Sequence, residues 1–194
     1  LNLLREGLFQ RLPTIDTERL TLRRMTMADA DDVFAYSSDP EVSRHVLWDA
    51  HRSIQDSRAY LRYILRQYRV NGPSSWGIEH SGAGRMIGTI GFMWWNREYR
   101  SAEVGYSLAR EYWNQGLMTE ALRAVIRFGF DEMQLYRIEA QHETLNPASG
   151  RVMEKAGMRK EGVLRGRLCN KGRHVDVALY AILRGDPRVE WAGS

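Results

Sequence analysis

The stretch best able to do chemistry runs from Glu103 to Leu122, E-V-G-Y-S-L-A-R-E-Y-W-N-Q-G-L-M-T-E-A-L. Its residue pattern reads as a strand, a tight turn at Tyr112 to Gly116, and a helix from about Met118 to Glu132. The first N–H groups of a helix have no intrahelical partner, and the helix dipole adds partial positive charge there. Such an end can hold a phosphate or diphosphate, and Gly116 would let the backbone approach it closely. Gly105, inside the strand, predicts a bulge or a point where the strand splays from a neighbour. A purely structural strand–turn–helix carries the same signature, so the residue types leave both readings open. Neither G-x-x-x-x-G-K-[ST] nor a post-strand G-x-G-x-x-G is present.

Other reactive residues point to less. The five histidines, His45, His51, His80, His142 and His174, show no H-E-x-x-H or similar spacing, so no metal site is expected. The single cysteine, Cys169, falls near a predicted hairpin tip and reads as an incidental thiol. Trp94 and Trp95, with Trp48 and Trp76, read mainly as core, with part of the group available to line a pocket.

The elements that must position the Glu103–Leu122 stretch follow from periodicity. Arg19 to Met25 alternates as a strand. Thr26 with Asp29 marks a helix start, and Asp39–Pro40 is expected to end that helix. A second helix starts near Ser53, with Asp56 three residues on, and Ile54, Leu61, Ile64, Leu65 and Tyr68 form its apolar stripe. Ser75 to His80 and Met86 to Trp95 read as strands joined by a hairpin turn, and Ala102 to Leu108 follows them. Arg137 to Thr144 is a strand. Asn146 and Pro147 suit the cap and first position of a further helix that stops at Gly157. Arg159 to Leu168 and His174 to Leu183 form a closing hairpin. This order predicts a single α+β or mixed α/β domain with about seven strands and about four helices.

Composition sets the outer bounds. At 194 residues, 43% hydrophobic and 27% charged, the chain can bury a core without disulfides. We expect an arm at 1–13, the domain at 14–184 and a tail at 185–194. The longest uncharged stretch, Met86 to Asn96, falls far short of the roughly 20 residues that cross a bilayer, so no membrane association is expected. A lone cysteine and the lack of a basic-then-apolar leader make the cytoplasm the expected compartment. The net charge of +4 comes from scattered basic residues, so no nucleic-acid partner is expected.

Several segments, in order, resemble one family. They are T-I-D-T-E-R-L-T-L-R-R-M (Thr14 to Met25), S-D-P-E-V (Ser38 to Val42), I-G-T-I-G-F (Ile87 to Phe92) and E-V-G-Y-S-L (Glu103 to Leu108). The most specific are Y-W-N-Q-G-L-M-T-E-A (Tyr112 to Ala121) and L-N-P-A-S-G-R-V-M-E-K-A-G-M (Leu145 to Met158). Together they resemble GNAT-superfamily N-acetyltransferases, in particular the ribosomal-protein-alanine branch, over Thr14 to Leu183. The resemblance implies a mostly antiparallel, splayed sheet with acetyl-CoA wedged where the Glu103 and Arg137 strands part. It implies that Asn114, Gln115, Gly116, Leu117, Met118 and Thr119 bind the diphosphate, largely through backbone N–H groups. It assigns the pantetheine arm to the backbone of Ser107 and Leu108 and to Asn146. In place of the superfamily's [QR]-x-x-G-x-[GA], this chain has Trp113-Asn-Gln-Gly-Leu-Met118. Met118 is bulky where the family has a small residue, although its backbone N–H remains.

Acetyl transfer to an amine requires a proton acceptor for the amine and a donor for the oxyanion, and a proton for the thiolate helps. By family placement Glu103 is the candidate base, and a solvated or salt-bridged strand glutamate is its alternative. Asp176 is the second candidate base or an ammonium ligand. Ser149 matches the position that protonates the departing thiolate, although a serine there can also simply bond local backbone. Tyr106 and Tyr180 are candidate acids or pocket walls, and Arg151 and Lys155 are candidate phosphate contacts or surface charges. The implied acceptor is a protein N-terminal α-amine, with a small-molecule amine or a turnover-free CoA-binding module as alternatives. A homodimer is one assembly open to the chain, and its residues set no oligomeric state.

Overall fold

The computed structural model describes residues 7–187. Its strands are β1 (Ile15–Asp16), β2 (Leu20–Arg23), β3 (Ser75–His80), β4 (Arg85–Asn96), β5 (Ser101–Leu108), β6 (Arg137–Glu143), β7 (Arg159–Asn170) and β8 (Arg173–Leu183). The α-helices are α1 (Ala30–Ser37), α2 (Pro40–Ser43), α3 (Ile54–Arg69), α4 (Leu117–Asp131) and α5 (Pro147–Lys155). One sheet runs β1-β2-β3-β4-β5-β6-β8-β7, and every neighbouring pair is antiparallel except β5–β6. The expected α+β domain is present.

Two small elements exceed the expected count. Ile15–Asp16 is too short to show a period, yet pairs with Leu22 and Thr21. Asp39–Pro40 does more than end α1, because it also starts α2. Asp39 Oδ1 accepts the Glu41 N–H at 3.0 Å, and Pro40 takes the first helical position. The two other starts hold. Thr26 and Asp29 form a capping box that leads into α1, and Ser53 and Asp56 form the one that opens α3.

The sheet separates two helical layers. Tyr36 of α1 and Tyr60 of α3 lie beside Thr89 on one face, and Tyr36 also lies beside Ser107. On the other face Trp76 of β3 meets Phe128 of α4 edge-on at 5.1 Å, and α5 packs over β6 and β8. Strand alternation therefore gives β5 one row of Ala102, Val104, Tyr106 and Leu108 toward α4 and α5, and another of Glu103, Gly105 and Ser107 toward α1 and α3.

The decisive feature is where β5 and β6 part. Their parallel ladder holds only Ser101↔Arg137, Ala102↔Ile138 and Glu103↔Glu139. Beyond that, β5 follows β4 as far as Gly88↔Leu108, while β6 follows β8 as far as Glu143↔Val177. The splay expected at Gly105 is present. The bulge belongs to the neighbouring strand, at Met93 between Phe92 and Trp94. A Cβ on Gly105 would come within 2.9 Å of Met93 Sδ, so glycine there makes room for the bulged side chain.

Within the expected arm, residues 7–13 are packed into the body. Phe9 is wholly buried, edge-on to Phe92 and Trp95, and its N–H donates to Asn71 Oδ1 at 2.8 Å. Trp76 Nε1 donates to the Pro13 carbonyl at 2.8 Å. Residues 1–6, and 188–194 of the expected tail, lie outside the described residues. Phe9→Ala should lower stability by about 3 kcal/mol in urea denaturation, the usual cost of removing a buried phenyl group. A loss under about 1 kcal/mol would mean that this segment is dispensable to the core.

Candidate active site

At the mouth of the split, β5 leads through a short 3-10 turn at Arg110–Tyr112 into α4. Two residues of the connection have left-handed backbone, Asn114 at φ 58° and Gly116 at φ 76°. The sequence reading gave Gly116 only close approach, whereas its φ also excludes most side chains. Gly116 occupies the cap position of α4 with no side chain to cap it. The first N–H groups of Leu117, Met118 and Thr119 are thus left for an external acceptor. Met118, the departure from the family pattern, is buried in the core and keeps its bulk out of the turn. Trp113 Nε1 donates to the Leu108 carbonyl at 2.8 Å and ties the turn to the end of β5.

The backbone of β5 corrects one expectation. Ala109 N–H bonds the Ile87 carbonyl at 2.8 Å, which fixes the alternation of the β4–β5 ladder. Ser107, two residues back, directs its backbone toward β4, and the groups of Tyr106 and Leu108 face the split. The Ser107 hydroxyl lies 3.3 Å from that of Thr89, on the α1–α3 face. Ser107 is therefore a wall residue, and Tyr106 joins Leu108 as the strand edge open to a ligand.

At the end of β6, Asn146 stands at the cap position of α5, yet its side chain makes no capping bond. Ser149 does more than bond local backbone. Its Oγ lies 2.9 Å from Tyr106 Oη, and its carbonyl accepts from the same hydroxyl at 3.2 Å. Burial pushes the Tyr106 phenol well above its ordinary range, so it stays protonated.

Glu103 lies on the opposite face of β5. Trp94 Nε1 donates to Oε2 at 2.9 Å and Gln141 Nε2 to Oε1 at 3.3 Å. Trp94 therefore serves this carboxylate more than the core. Among the described residues Glu103 forms no salt bridge, which removes one alternative for it. Burial raises its carboxyl above the ordinary range, against the lowering effect of the Trp94 and Gln141 bonds.

The remaining candidates separate from this group. Asp176 is exposed, and its Oδ1 accepts the Gly166 N–H at 2.7 Å, pinning the register shift of β7 between Leu164 and Leu168. Tyr180 donates to Glu154 at 3.0 Å under α5 and lines a cavity of about 260 Å³ between α5 and strands β6, β7 and β8. Arg151 lines the same cavity, and Lys155 is exposed. Among the described residues no cluster of His, Cys, Asp or Glu could hold a metal ion, and no helix is long and apolar enough to cross a membrane.

The sequence reading missed one group. Thr17 Oγ1 and the Arg19 N–H donate to Glu120 Oε1 at 2.6 and 2.8 Å. Arg19 Nε donates to Glu120 Oε2 at 2.8 Å, and Nη1 donates to the Gln115 carbonyl at 2.9 Å. No local pattern in the sequence links Arg19 to Glu120, which lie 101 residues apart.

Known proteins resemble this chain over most of its length. The model of the acetyltransferase (GNAT) domain matches residues 19–159. The chain is 36% identical over 172 residues to the uncharacterized N-acetyltransferase YoaA of Bacillus subtilis, covering 89% of this chain and 97% of that one. It is 27% identical over 180 residues to the [ribosomal protein uS5]-alanine N-acetyltransferase of Escherichia coli, covering 89% and 91%. A GNAT-family acetyltransferase structure from Bacillus anthracis superposes with a TM-score of 0.79 at 30% identity, covering 88% and 98%. The chain belongs to the GNAT acetyltransferase family, with acetyl-CoA as its acyl donor.

Proposed function

We propose that this N-acetyltransferase moves the acetyl group directly from acetyl-CoA to a protein N-terminal α-amine. The observation that carries the mechanism is the pair of proton-handling groups on opposite faces of β5 at the split. Glu103 faces the α1–α3 side, and the Ser149–Tyr106 pair faces α4 and α5. The pantetheine arm lies along Tyr106 and Leu108, with Asn146 across the split. The diphosphate sits on the N–H groups of Gly116 to Thr119, flanked by Asn114 and Gln115. The amine enters from the α1–α3 side and gives its proton to Glu103, directly or through one water. A carboxyl pKa raised by burial makes Glu103 a better proton acceptor than an ordinary glutamate. The amine nitrogen attacks the thioester carbon, the C–S bond breaks, and Ser149 hands a proton to the departing sulfur and regains one from solvent, while Glu103 releases the amine proton to solvent. Alignment of the two bound substrates supplies much of the rate. The choice of an N-terminal α-amine rests on the branch resemblance and on the uS5-alanine relative.

Intact-mass screening of N-terminal peptides and small amines with acetyl-CoA tests the acceptor. One added acetyl group on peptide α-amines is expected. Exclusive modification of small amines would contradict the protein-acceptor reading, and no modification of either class would contradict turnover.

Two substitutions test the parts. Gly116→Val forces a branched residue to φ 76° and should weaken CoA binding at least tenfold in calorimetry, while unchanged affinity would move the diphosphate elsewhere. Glu103→Gln should lower kcat by about 10²- to 10⁴-fold with CoA affinity retained. In the wild type kcat/KM should rise with pH as Glu103 ionises above the ordinary carboxylate range. The variant should lose that limb, and its deficit should shrink at high pH, where more amine is already neutral. Ser149→Ala should slow turnover least for donors whose thiol is more acidic. Wild-type rates in both variants would refute the mechanism.

A further inference from the structure

The start of α4 carries an electrostatic contradiction. A turn that receives a diphosphate has a carboxylate, Glu120, in the first turn of the same helix. That position favours the helix, because negative charge complements its N-terminal dipole, but it opposes an incoming anion. The arrangement at Arg19 resolves this. The Glu120 carboxylate is encircled by Thr17 Oγ1, the Arg19 N–H and Arg19 Nε at 2.6 to 2.8 Å. Burial pushes its pKa up, and these bonds outweigh that and hold it below the ordinary range. It is anionic, and its charge is spent on Arg19.

The same guanidinium grips the turn. Nη1 holds the Gln115 carbonyl at 2.9 Å, and Nη2 lies 3.5 Å from where a Cβ on Gly116 would stand. The C=O and N–H of a trans peptide point in opposite directions. Fixing the Gln115 carbonyl toward Arg19 therefore aims the Gly116 N–H the other way. A freely rotating Gln115–Gly116 peptide could instead present its carbonyl, the repulsive end, to a phosphate. The planar fork of arginine binds Glu120 through Nε and the turn carbonyl through Nη1 in one fixed plane, an orientation that a freely rotating ammonium does not set.

We propose that Arg19 is a positioning residue for the donor's diphosphate: it neutralises Glu120 and orients the Gln115–Gly116 peptide. This rests on the reading of the turn as the diphosphate site and goes beyond it, because Arg19 reaches the turn from β1–β2, 96 residues before Gln115.

The test compares KM and kcat for acetyl-CoA and for acetyl-pantetheine, which has the same thioester but no diphosphate or nucleotide. Arg19→Gln should raise the acetyl-CoA KM about 10- to 100-fold, the usual weight of charge-assisted hydrogen bonds. Its kcat at saturation should fall less than its KM rises, and kcat/KM for acetyl-pantetheine should stay within about twofold. Adding Glu120→Gln should recover part of the loss, because the unpaired anion is then gone. Equal losses with both donors would show a general structural role and overturn the proposal, as would an unchanged acetyl-CoA KM. A double variant no better than Arg19→Gln would overturn the neutralising role. If Arg19→Gln fails to fold by circular dichroism, Arg19→Lys serves instead. It keeps a cation without the fork and should give an intermediate KM, and a wild-type value would overturn the orienting role. A wild type that does not prefer acetyl-CoA over acetyl-pantetheine would remove the turn assignment itself.

Discussion

Everything in the site depends on β5 and β6 being held apart after three residue pairs. Parallel neighbours would normally continue their ladder, because buried backbone N–H and C=O groups must find partners. Here each strand is claimed on its outer side, β5 by β4 and β6 by β8, and the bulge at Met93 bends β4 at the level where the parting begins. The two strands thus diverge with one backbone edge each facing the gap. A ligand with amide groups of its own can complete those edges, as a further strand would. The helices that follow, α4 and α5, start just past the two diverging ends, so both N-termini border the opening.

The parting also divides the chemistry by face. A carboxylate whose burial favours protonation is held by Trp94 and Gln141 on one side, and a hydroxyl pair joins β5 to α5 on the other. The face that carries Glu103 is crossed by a separate staple. Lys171, at the β7–β8 turn, donates to the carbonyls of Ser43 and Val46 at 2.9 Å and to that of Trp48 at 3.4 Å. Glu143, at the end of β6, accepts from Asn170 and pairs with His45 Nδ1 at 2.9 Å. Burial raises the Glu143 carboxyl, and the His45 and Asn170 bonds more than reverse this. These contacts tie the segment after α2 to the hairpin tip across the same face that carries Glu103.

Much of this was legible locally. Both capping boxes, the long strands, the closing hairpin and the α4 start lie where short-range patterns put them, because each depends on residues within one turn or one pleat. The same local logic reads Asp39–Pro40 as the end of α1 and misses that it also starts α2, since proline suits the first position of a helix as well as the stop of the one before. It also gave Asn146 a capping bond that the side chain does not make. What stayed hidden was pairing across distance. Tyr106 finds Ser149 at 43 residues and Arg19 finds Glu120 at 101, and no periodicity encodes such partners. Ser107 illustrates a finer limit. Family placement put it on the ligand edge, but ladder parity is set by which β4 residue faces it, and a one-residue change of register reverses the answer.

The central claim is that the parted strands and the start of α4 together receive the donor. Titrating isotope-labelled protein with CoA and following the backbone amide resonances tests it most directly. The account predicts the largest shifts at Leu108 and from Gly116 to Thr119, with smaller ones at Asn146 and Ser149. Shifts concentrated around the cavity of Tyr180 and Lys160, with Gly116 to Thr119 unmoved, would contradict it.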